Sequence, residues 1–533
     1  MQTDFYSAGS MDHTGDESTK VARRLTQQIT DGLAEHQRVG SDVFGAVYQE
    51  DWDSKVNWEP QYEKERKSDA TKSIRMDARN MAPNVLDGII LDETAGPISI
   101  PLAILQQITD NFNDSLKIGQ GGFGVVYKGF IQSGCVAVKK LLNSHTIKDG
   151  PFYRETSILM SVNHPNIVRF LGYCSNTENT AVKLDGPGIR EKYIYAENRE
   201  RLLCFEYISK GGLDKHVTDE LRGLEWHTRY RIIKGICEGL RYLHKEKNII
   251  HMDLKPANIL LDDLLIPKIT DFGISKQLEE KSHAITMARF GSMGYCAPEY
   301  LYHGIVSFKG DIFSLGTIIM DLVSGRKEKP NIKNILRRWR YRWNKSGKYP
   351  PLGSEQVTKC IEIAALCMSY DVKKRPDILD VISSLNEMET TTEHIGQAGE
   401  SSVGQVTSPY DWELLGIDPL ELHFPFEINK HISCSLELSN AREDCVAFHI
   451  EPPSTRHYRI EPNRGIVPPQ SRTNVIVTLE AQEKAPHDMR CQDEFVVRCT
   501  IVNEGLTPEN VSQDMFDEKS TGLVDEATLT VAF

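Results

Sequence analysis

Residues 251–258 read HMDLKPAN, and this stretch decides the fold. It sets an acid, a lysine and an amide close together as Asp253, Lys255 and Asn258. Asp253 is placed to accept or orient the proton of a hydroxyl, and Lys255 to neutralise a phosphoryl group in transfer. Asn258 would supply an oxygen to Mg2+, a hard cation that prefers such ligands. Thirteen residues beyond Asn258 come Asp271-Phe272-Gly273, whose carboxylate would bridge the metal to phosphates. Ala297-Pro298-Glu299 follows. Each string alone is common; their order and separations together are not.

Upstream, residues 118–124 are Ile118-Gly119-Gln120-Gly121-Gly122-Phe123-Gly124. Glycines let a strand–turn–strand backbone approach a triphosphate without Cβ clashes. A lone G-x-G-x-x-G is weak, but Val126 follows and then Val136-Ala137-Val138-Lys139 after another strand's length. That order suits a glycine loop followed by a lysine strand and leaves no place for a dinucleotide-binding βαβ unit. Lys139 would grip the α- and β-phosphates of ATP. A buried ammonium needs a carboxylate, and Glu155 stands sixteen residues on in the helix-like run PFYRETSILMSV.

In these motifs residues 103–388 resemble the eukaryotic protein kinase family. The resemblance implies an α+β two-lobed fold, with ATP and Mg2+ as cofactors and Ser/Thr-containing proteins as substrates. It implies catalytic roles for Asp253, Lys255, Lys139 and Glu155, and metal ligation by Asn258 and Asp271. Nucleotide contacts would come from Ile118, the glycine loop, Val126, Ala137 and Lys139. Phe205 resembles the gatekeeper, with Glu206–Ile208 as the hinge facing adenine. Glu299 would pair with Arg375, and Asp311 would hold the catalytic loop from below. The strings GFGVVYKG (122–129), HPNIVRFLGYC (164–174), YLHKE (242–246) and GYCAPEYL (294–301) are similar to plant receptor-like kinases related to Pelle. With no ectodomain or membrane span in the sequence, the expectation is a cytoplasmic member that acts below an upstream receptor kinase. An insert at 175–200 would lengthen a strand connection in the small lobe.

Position 252 departs from the family, with Met where Arg is usual. A guanidinium there pairs with an activation-segment phosphate; Met cannot. The resemblance is therefore to non-RD kinases, and phosphorylation of Ser282 or Thr286 is not required for that ordering step. Arg289 is the alternative partner. A silent kinase fold serving as a nucleotide-binding scaffold is the alternative function.

Composition sets the surroundings. The 533 residues carry a formal net charge of −13, distributed as −7 over 1–95, +6 over 96–408 and −12 over 409–533. Acidic ends argue against nucleic-acid binding. Eleven scattered cysteines fit free thiols in a reducing compartment. Residues 1–95 contain a partial copy of the glycine-loop segment: 27–50 match 106–129 at ten positions, with Asp42 where the second copy has Gly121. A lone hairpin buries no core, so this stretch is predicted to be loosely ordered. Residues 389–408 are rich in Thr, Ser, Gly and Gln and predict a flexible linker.

After 409 the pattern becomes short alternating strands such as ISCSLELSN, VAFHIEPP and TNVIVTLEA. LLGIDPLELHFPFE (414–427) and YRIEPNRGIVPP (458–469) resemble the major sperm protein (MSP) domain, which implies an all-β immunoglobulin-like sandwich that binds a protein or peptide partner. Positions that face acidic peptides in that family align here with His449, Glu451, Glu461, Glu494 and Val496. An acidic face repels an acidic motif, so a basic or neutral partner, self-association or a purely structural role is expected instead.

Overall fold

The computed structural model describes residues 86–142, 150–184, 192–278, 283–287, 290–325, 331–350, 352–395, 412–453, 458–482, 493–503, 505–516 and 523–533. The partial repeat at 27–50, Ser282 and Arg289 lie outside the described residues. The chain divides into two compact units. One is Met1–Lys329 with Glu355–Thr390; the other is Pro330–Ser354 with Thr391–Phe533.

The first unit begins with a small lobe. Its six strands are β1 (Ile98–Ser99), β2 (Lys117–Gly121), β3 (Gly124–Ile131), β4 (Gly134–Leu141), β5 (Phe170–Leu184) and β6 (Lys192–Glu206), in the order β1-β5-β6-β4-β3-β2. Val136 and Val138 alternate inward along β4, as period-two patterning requires. Residues 86–91 form helix α1, and Leu102–Ile108 form α2. Leu86, Ile89, Leu105 and Ile108 join Val136, Val138, Leu171 and Leu202 in one buried cluster. The Ser133 amide donates to Asp87 Oδ1, and Arg169 Nη2 donates to the carbonyls of Asp92 and Ala95. The small lobe thus starts well before residue 103. The end of the 1–95 stretch contributes a packed helix because its apolar side chains cover the outer face of the sheet. The insert at 175–200 lengthens the β5–β6 hairpin, which pairs from Phe170↔Phe205 to Leu184↔Lys192.

Helix α3 (Gly150–Ser161) carries Glu155 against this sheet. The larger lobe follows with α4 (Trp226–Arg241), which buries Ile232, Ile233, Ile236 and Leu240. Short strands β7 (Ile249–Ile250), β8 (Ile259–Leu261), β9 (Pro267–Ile269) and β10 (Lys276–Gln277) carry the catalytic-loop and metal-loop segments, with β8 antiparallel to β9. β11 (His283–Ile285) pairs with β12 (Ile305–Ser307) on either side of α5 (Pro298–His303). Helix α6 (Phe308–Ser324) is buried nearly all round, as its almost continuous apolar sequence demands. It closes at Gly325 with φ 66°, a left-handed cap where an added Cβ would meet Thr218 O at 2.0 Å.

In the second unit, helix α7 (Ile332–Ser346) accompanies a two-sheet sandwich. Apart from a few terminal residues, α8 (Gly353–Cys367) and α9 (Ile378–Ile395) belong to the first unit. The first part of the expected linker is therefore helical. One sheet holds β13 (Gly416–Asp418), β15 (Ile432–Asn440), β19 (Ser471–Leu479) and β17 (Tyr458–Glu461). The other runs β14 (Glu421–His423), β21 (Val524–Ala532), β20 (Glu494–Val502), β16 (Cys445–Glu451) and β18 (Arg464–Val467). Leu436, Leu438, Val475 and Val477 from one sheet and Phe448, Ile450, Phe495 and Leu529 from the other are buried between them. This is the sandwich expected from the alternating strands.

The larger lobe is pinned by a buried ion pair. Arg375 Nη1 and Nη2 donate to Glu299 Oε1 and Oε2 at 2.7 and 2.8 Å. Arg375 is 1% exposed. Changing Glu299 to Gln strips the guanidinium of its counter-charge in a site that water cannot reach, so folding stability should fall by about 3–5 kcal/mol. The urea midpoint, compared with that of an exposed-surface control such as Glu387→Gln, measures it.

Candidate active site

The site grows from Lys139 on β4. Its Nζ donates to Glu155 Oε1 at 3.0 Å and to Asp271 Oδ1 at 2.8 Å. Lys139 and Glu155 are 7% and 5% exposed. Burial alone would pull the ammonium's pKa down, but the carboxylates of Glu155 and Asp271 outweigh it and hold the lysine charged well above its ordinary range. For Asp271, burial pushes upward while the Lys139 charge and hydrogen bond pull harder, leaving the carboxyl below its usual value. The three groups come from positions far apart in sequence, and α3 and β4 must pack correctly for them to meet.

Below lies the catalytic loop. Asp253 Oδ2 accepts from Lys255 Nζ at 2.7 Å and from Asn258 Nδ2 at 3.0 Å. Asp253 Oδ1 accepts from Ser292 Oγ at 2.9 Å, and Lys255 Nζ also donates to Ser292 Oγ at 2.7 Å. A carboxylate, a cation and a hydroxyl thus form a closed triangle. Asn258 Nδ2 additionally donates to Asp253 O at 2.9 Å. With its nitrogen so occupied, Asn258 presents its Oδ1 as an acceptor.

The loop is gripped from beneath. Asp311 accepts from the His251 amide at 2.7 Å and the Met252 amide at 2.8 Å, and His244 Nε2 lies 2.9 Å from Asp311 Oδ2. Met252 holds φ at +69° and Asp271 at +67°, left-handed values that cost a non-glycine residue of order 1 kcal/mol and persist where the surroundings enforce them. His251 also stacks edge-on against Phe272, which is 2% exposed. The Met252 side chain packs against Ile250, Leu278, Cys296, Tyr300 and Val306.

The glycine loop is the β2–β3 hairpin, with Gly121 opposite Gly124. A Cβ at Gly124 would stand 2.6 Å from Lys140 O, so the strand pairing itself requires glycine there. At Gly121 and Gly122 an added Cβ meets nothing within 4 Å, so the space beside this turn is open. Phe123 at the tip comes within 3.6 Å of the position a Gly273 Cβ would take. Ile118 is exposed, and Val126 and Ala137 are half-buried. Gln120 takes a different part from the rest: its side chain accepts from Lys117 Nζ on the surface. At the hinge the Glu206 carboxylate accepts from the Arg169 amide at 2.8 Å and from Lys268 Nζ at 2.9 Å, and Ile208 is buried. Their side chains are thereby committed elsewhere, leaving backbone groups for a base.

Nothing in the sequence pattern announces the bonds of Ser292 to Asp253 and Lys255. Nor does the pattern set His251 and His244 beside Asp311. The HMD and YLH strings were the only signal, and nothing in their spacing announces those partners.

Asn258 Oδ1 and the second Asp271 oxygen are hard donors that fit a divalent cation such as Mg2+. Among the described residues no cluster of three or more His, Cys, Asp or Glu side chains could hold a metal ion. Two donors are too few to retain it alone, so phosphate oxygens must complete the coordination.

Residues 112–385 match the protein kinase domain model, more than half of the chain. The chain belongs to the protein kinase family. Residues 414–522 match the MSP (Major sperm protein) domain. A G-type lectin S-receptor-like serine/threonine-protein kinase of Arabidopsis thaliana is 35% identical over 305 residues, covering 53% of this chain and 34% of that protein. Cysteine-rich receptor-like protein kinase 6 of Oryza sativa subsp. japonica is 35% identical over 327 residues, covering 57% and 41%. The chain thus spans about a third to two fifths of the length of these relatives. Among the described residues no helix is long and apolar enough to cross a membrane, and the ten described cysteines are free thiols.

The ion pairs give the kinase site a defined pH signature. Asp271 titrates lower folded than unfolded, so its contribution to stability is present above about pH 4 and is lost as pH falls through the folded value. Lys139 titrates higher folded than unfolded, so its contribution is present below about pH 10 and is lost only above that. The stability gap between the native chain and Lys139→Met should therefore be flat from about pH 5 to 10 and narrow below about pH 4. Urea unfolding across that range checks it.

Proposed function

We propose that this chain transfers the γ-phosphoryl group of ATP to serine or threonine hydroxyls of protein substrates, as a cytoplasmic non-RD receptor-like kinase acting below a receptor. One observation carries the reading: the Asp253–Lys255–Ser292 triangle lies close enough to the Lys139–Glu155–Asp271 cluster for the Lys255 charge to help hold the Asp271 carboxyl below its usual range, after the larger effect of Lys139. The Ser292 hydroxyl already sits against Asp253, which supports an aliphatic hydroxyl as the group this carboxylate receives.

In the reaction the substrate oxygen forms a bond to the γ-phosphorus. The bond from that phosphorus to the β–γ bridging oxygen breaks, and ADP leaves with the electron pair. Asp253 orients the attacking hydroxyl and takes its proton. Lys255 offsets the charge on the transferring group, and Lys139 holds the α- and β-phosphates while Glu155 fixes its position. Asn258 and Asp271 would hold Mg2+, which supplies charge neutralisation across the phosphates. Positioning and electrostatics provide most of the rate. A silent scaffold would have lost one of these groups, and all are present.

Met252 supports the non-RD assignment. It packs in an apolar cluster, while the β11–β12 ladder and the Thr286 amide, donating to Gly304 O at 2.9 Å, tether the activation segment. No phosphate is needed for those contacts. On the sandwich, Glu451 is paired with Arg498 at 2.5 Å and Glu461 with Arg459 at 2.5 Å, so both arginines are already engaged by carboxylates, which disfavours an acidic peptide ligand there.

With radiolabelled ATP, Mg2+ and a general protein substrate, Asp253→Asn should lower kcat by about 10²–10⁴-fold, and Lys139→Met should abolish labelling. Equal labelling by all three proteins would overturn the reading. Thr286→Ala and Thr286→Glu should each change the initial rate less than about tenfold if no phosphate-dependent ordering operates. An acidic peptide titrated into the full chain should show no binding at micromolar concentrations.

A further inference from the structure

Helix α7 is basic along its whole length. It carries Lys333, Arg337, Arg338, Arg340, Arg342 and Lys345 and no carboxylate. Its positive charge equals the whole +6 excess of residues 96–408, and it sits in one compact unit with a segment, 409–533, of net −12. The helix lies inside the span matched by the kinase model, outside the MSP match.

Its contacts fall on the last strand of the sandwich. β14 pairs with β21 only over Thr530–Ala532. Among the described residues, the edge of β21 before Thr530 is therefore left without a strand on that side, and exposed edges need cover. Asn334 and Arg337 of α7 supply it. The Thr528 amide donates to Asn334 Oδ1 at 3.1 Å, and Arg337 Nη1 donates to Glu526 O at 3.1 Å. Asp525, at an inward position of β21, is 2% exposed, and Arg337 Nη2 donates to its Oδ2 at 2.5 Å. The Leu414 amide donates to the same oxygen at 3.1 Å. A carboxylate at that depth is tolerated only with a cation beside it. Around this centre Arg340 Nη1 meets Glu413 Oε1 at 2.9 Å, the Tyr341 hydroxyl donates to Asp418 Oδ1 at 2.6 Å, and Lys333 and Arg337 lie over the Trp412 ring at 5.5 and 5.4 Å.

We propose that the β21 edge of this sandwich is a docking site for a basic helix and that α7 fills it in cis. The proposal rests on reading the MSP-type sandwich as an interaction module and is independent of phosphotransfer. It identifies the basic partner that the module's charge calls for as a segment of the same chain. Any other protein using the β21 edge has to displace a helix of charge +6.

Amide hydrogen exchange on the full chain tests this without any kinase assay. In the native chain the 332–346 and 524–528 segments should both be protected. Arg340→Glu, which sets like charges face to face at a partly exposed pair, should speed exchange at least about tenfold in both segments together. Glu413→Lys should do the same from the sandwich side, where misfolding of the helix is not an explanation. Combining the two should restore protection. Independent exchange of the two segments, or single variants that alter neither, would overturn the proposal, as would a double variant no better protected than the singles.

Discussion

A single buried ammonium organises the first unit. Lys139 sits where water cannot solvate it, and its charge survives because Glu155 and Asp271 reach it from two other parts of the chain. Removing Lys139 leaves both carboxylates without their cation, and removing either carboxylate leaves the lysine a single counter-ion. The glycine-loop hairpin, helix α3 and the loop after β9 must therefore be placed together. That placement sets Phe123, at the tip of the glycine-loop hairpin, 3.6 Å from where a Gly273 Cβ would stand. It also holds the opposite charges of Lys139, Glu155 and Asp271 within hydrogen-bond distance of one another.

The catalytic loop depends on a second set of constraints. Asp311 on α6 holds two consecutive backbone amides, those of His251 and Met252, and α6 is itself locked into the core of its lobe. The left-handed backbone at Met252 is maintained by that grip. On its side-chain face Met252 joins an apolar cluster with Cys296 and Tyr300, and burial pushes the Cys296 thiol up to about 11. The nearby segment is thus held by packing, a three-residue ladder and the Glu299–Arg375 pair. None of these interactions needs a positive charge at position 252.

In the second unit, ion pairs of opposite charge tie the helix to the sandwich. The acidic composition of residues 409–533 is a liability for a free domain, because like charges repel in the compact state. A helix with six cations against the C-terminal strand offsets it and covers an open sheet edge. The inward-facing Asp525, which would be costly in an ordinary sandwich core, becomes the anchor for Arg337.

Much of the candidate site was legible in the chain alone. Asp253, Lys255, Asn258 and Asp271 announce themselves because phosphoryl transfer demands those side-chain types, and each lies in a short string of fixed order. The glycine loop, the Lys139 strand and the alternating strands after 409 were legible for the same local reasons, whereas the Glu299–Arg375 pair was implied only by the resemblance to the kinase family. Contacts set by long-range packing were not. Leu86 and Ile89 look like part of an acidic, weakly patterned region until the sheet they cover is in place. Ser292 gives no sign that it will close a triangle with Asp253. The sequence shows that α7 is basic and that the sandwich is acidic, but a charge count has no direction. Only the tertiary structure, by leaving one edge of β21 unpaired and one aspartate buried, decided that those two segments meet.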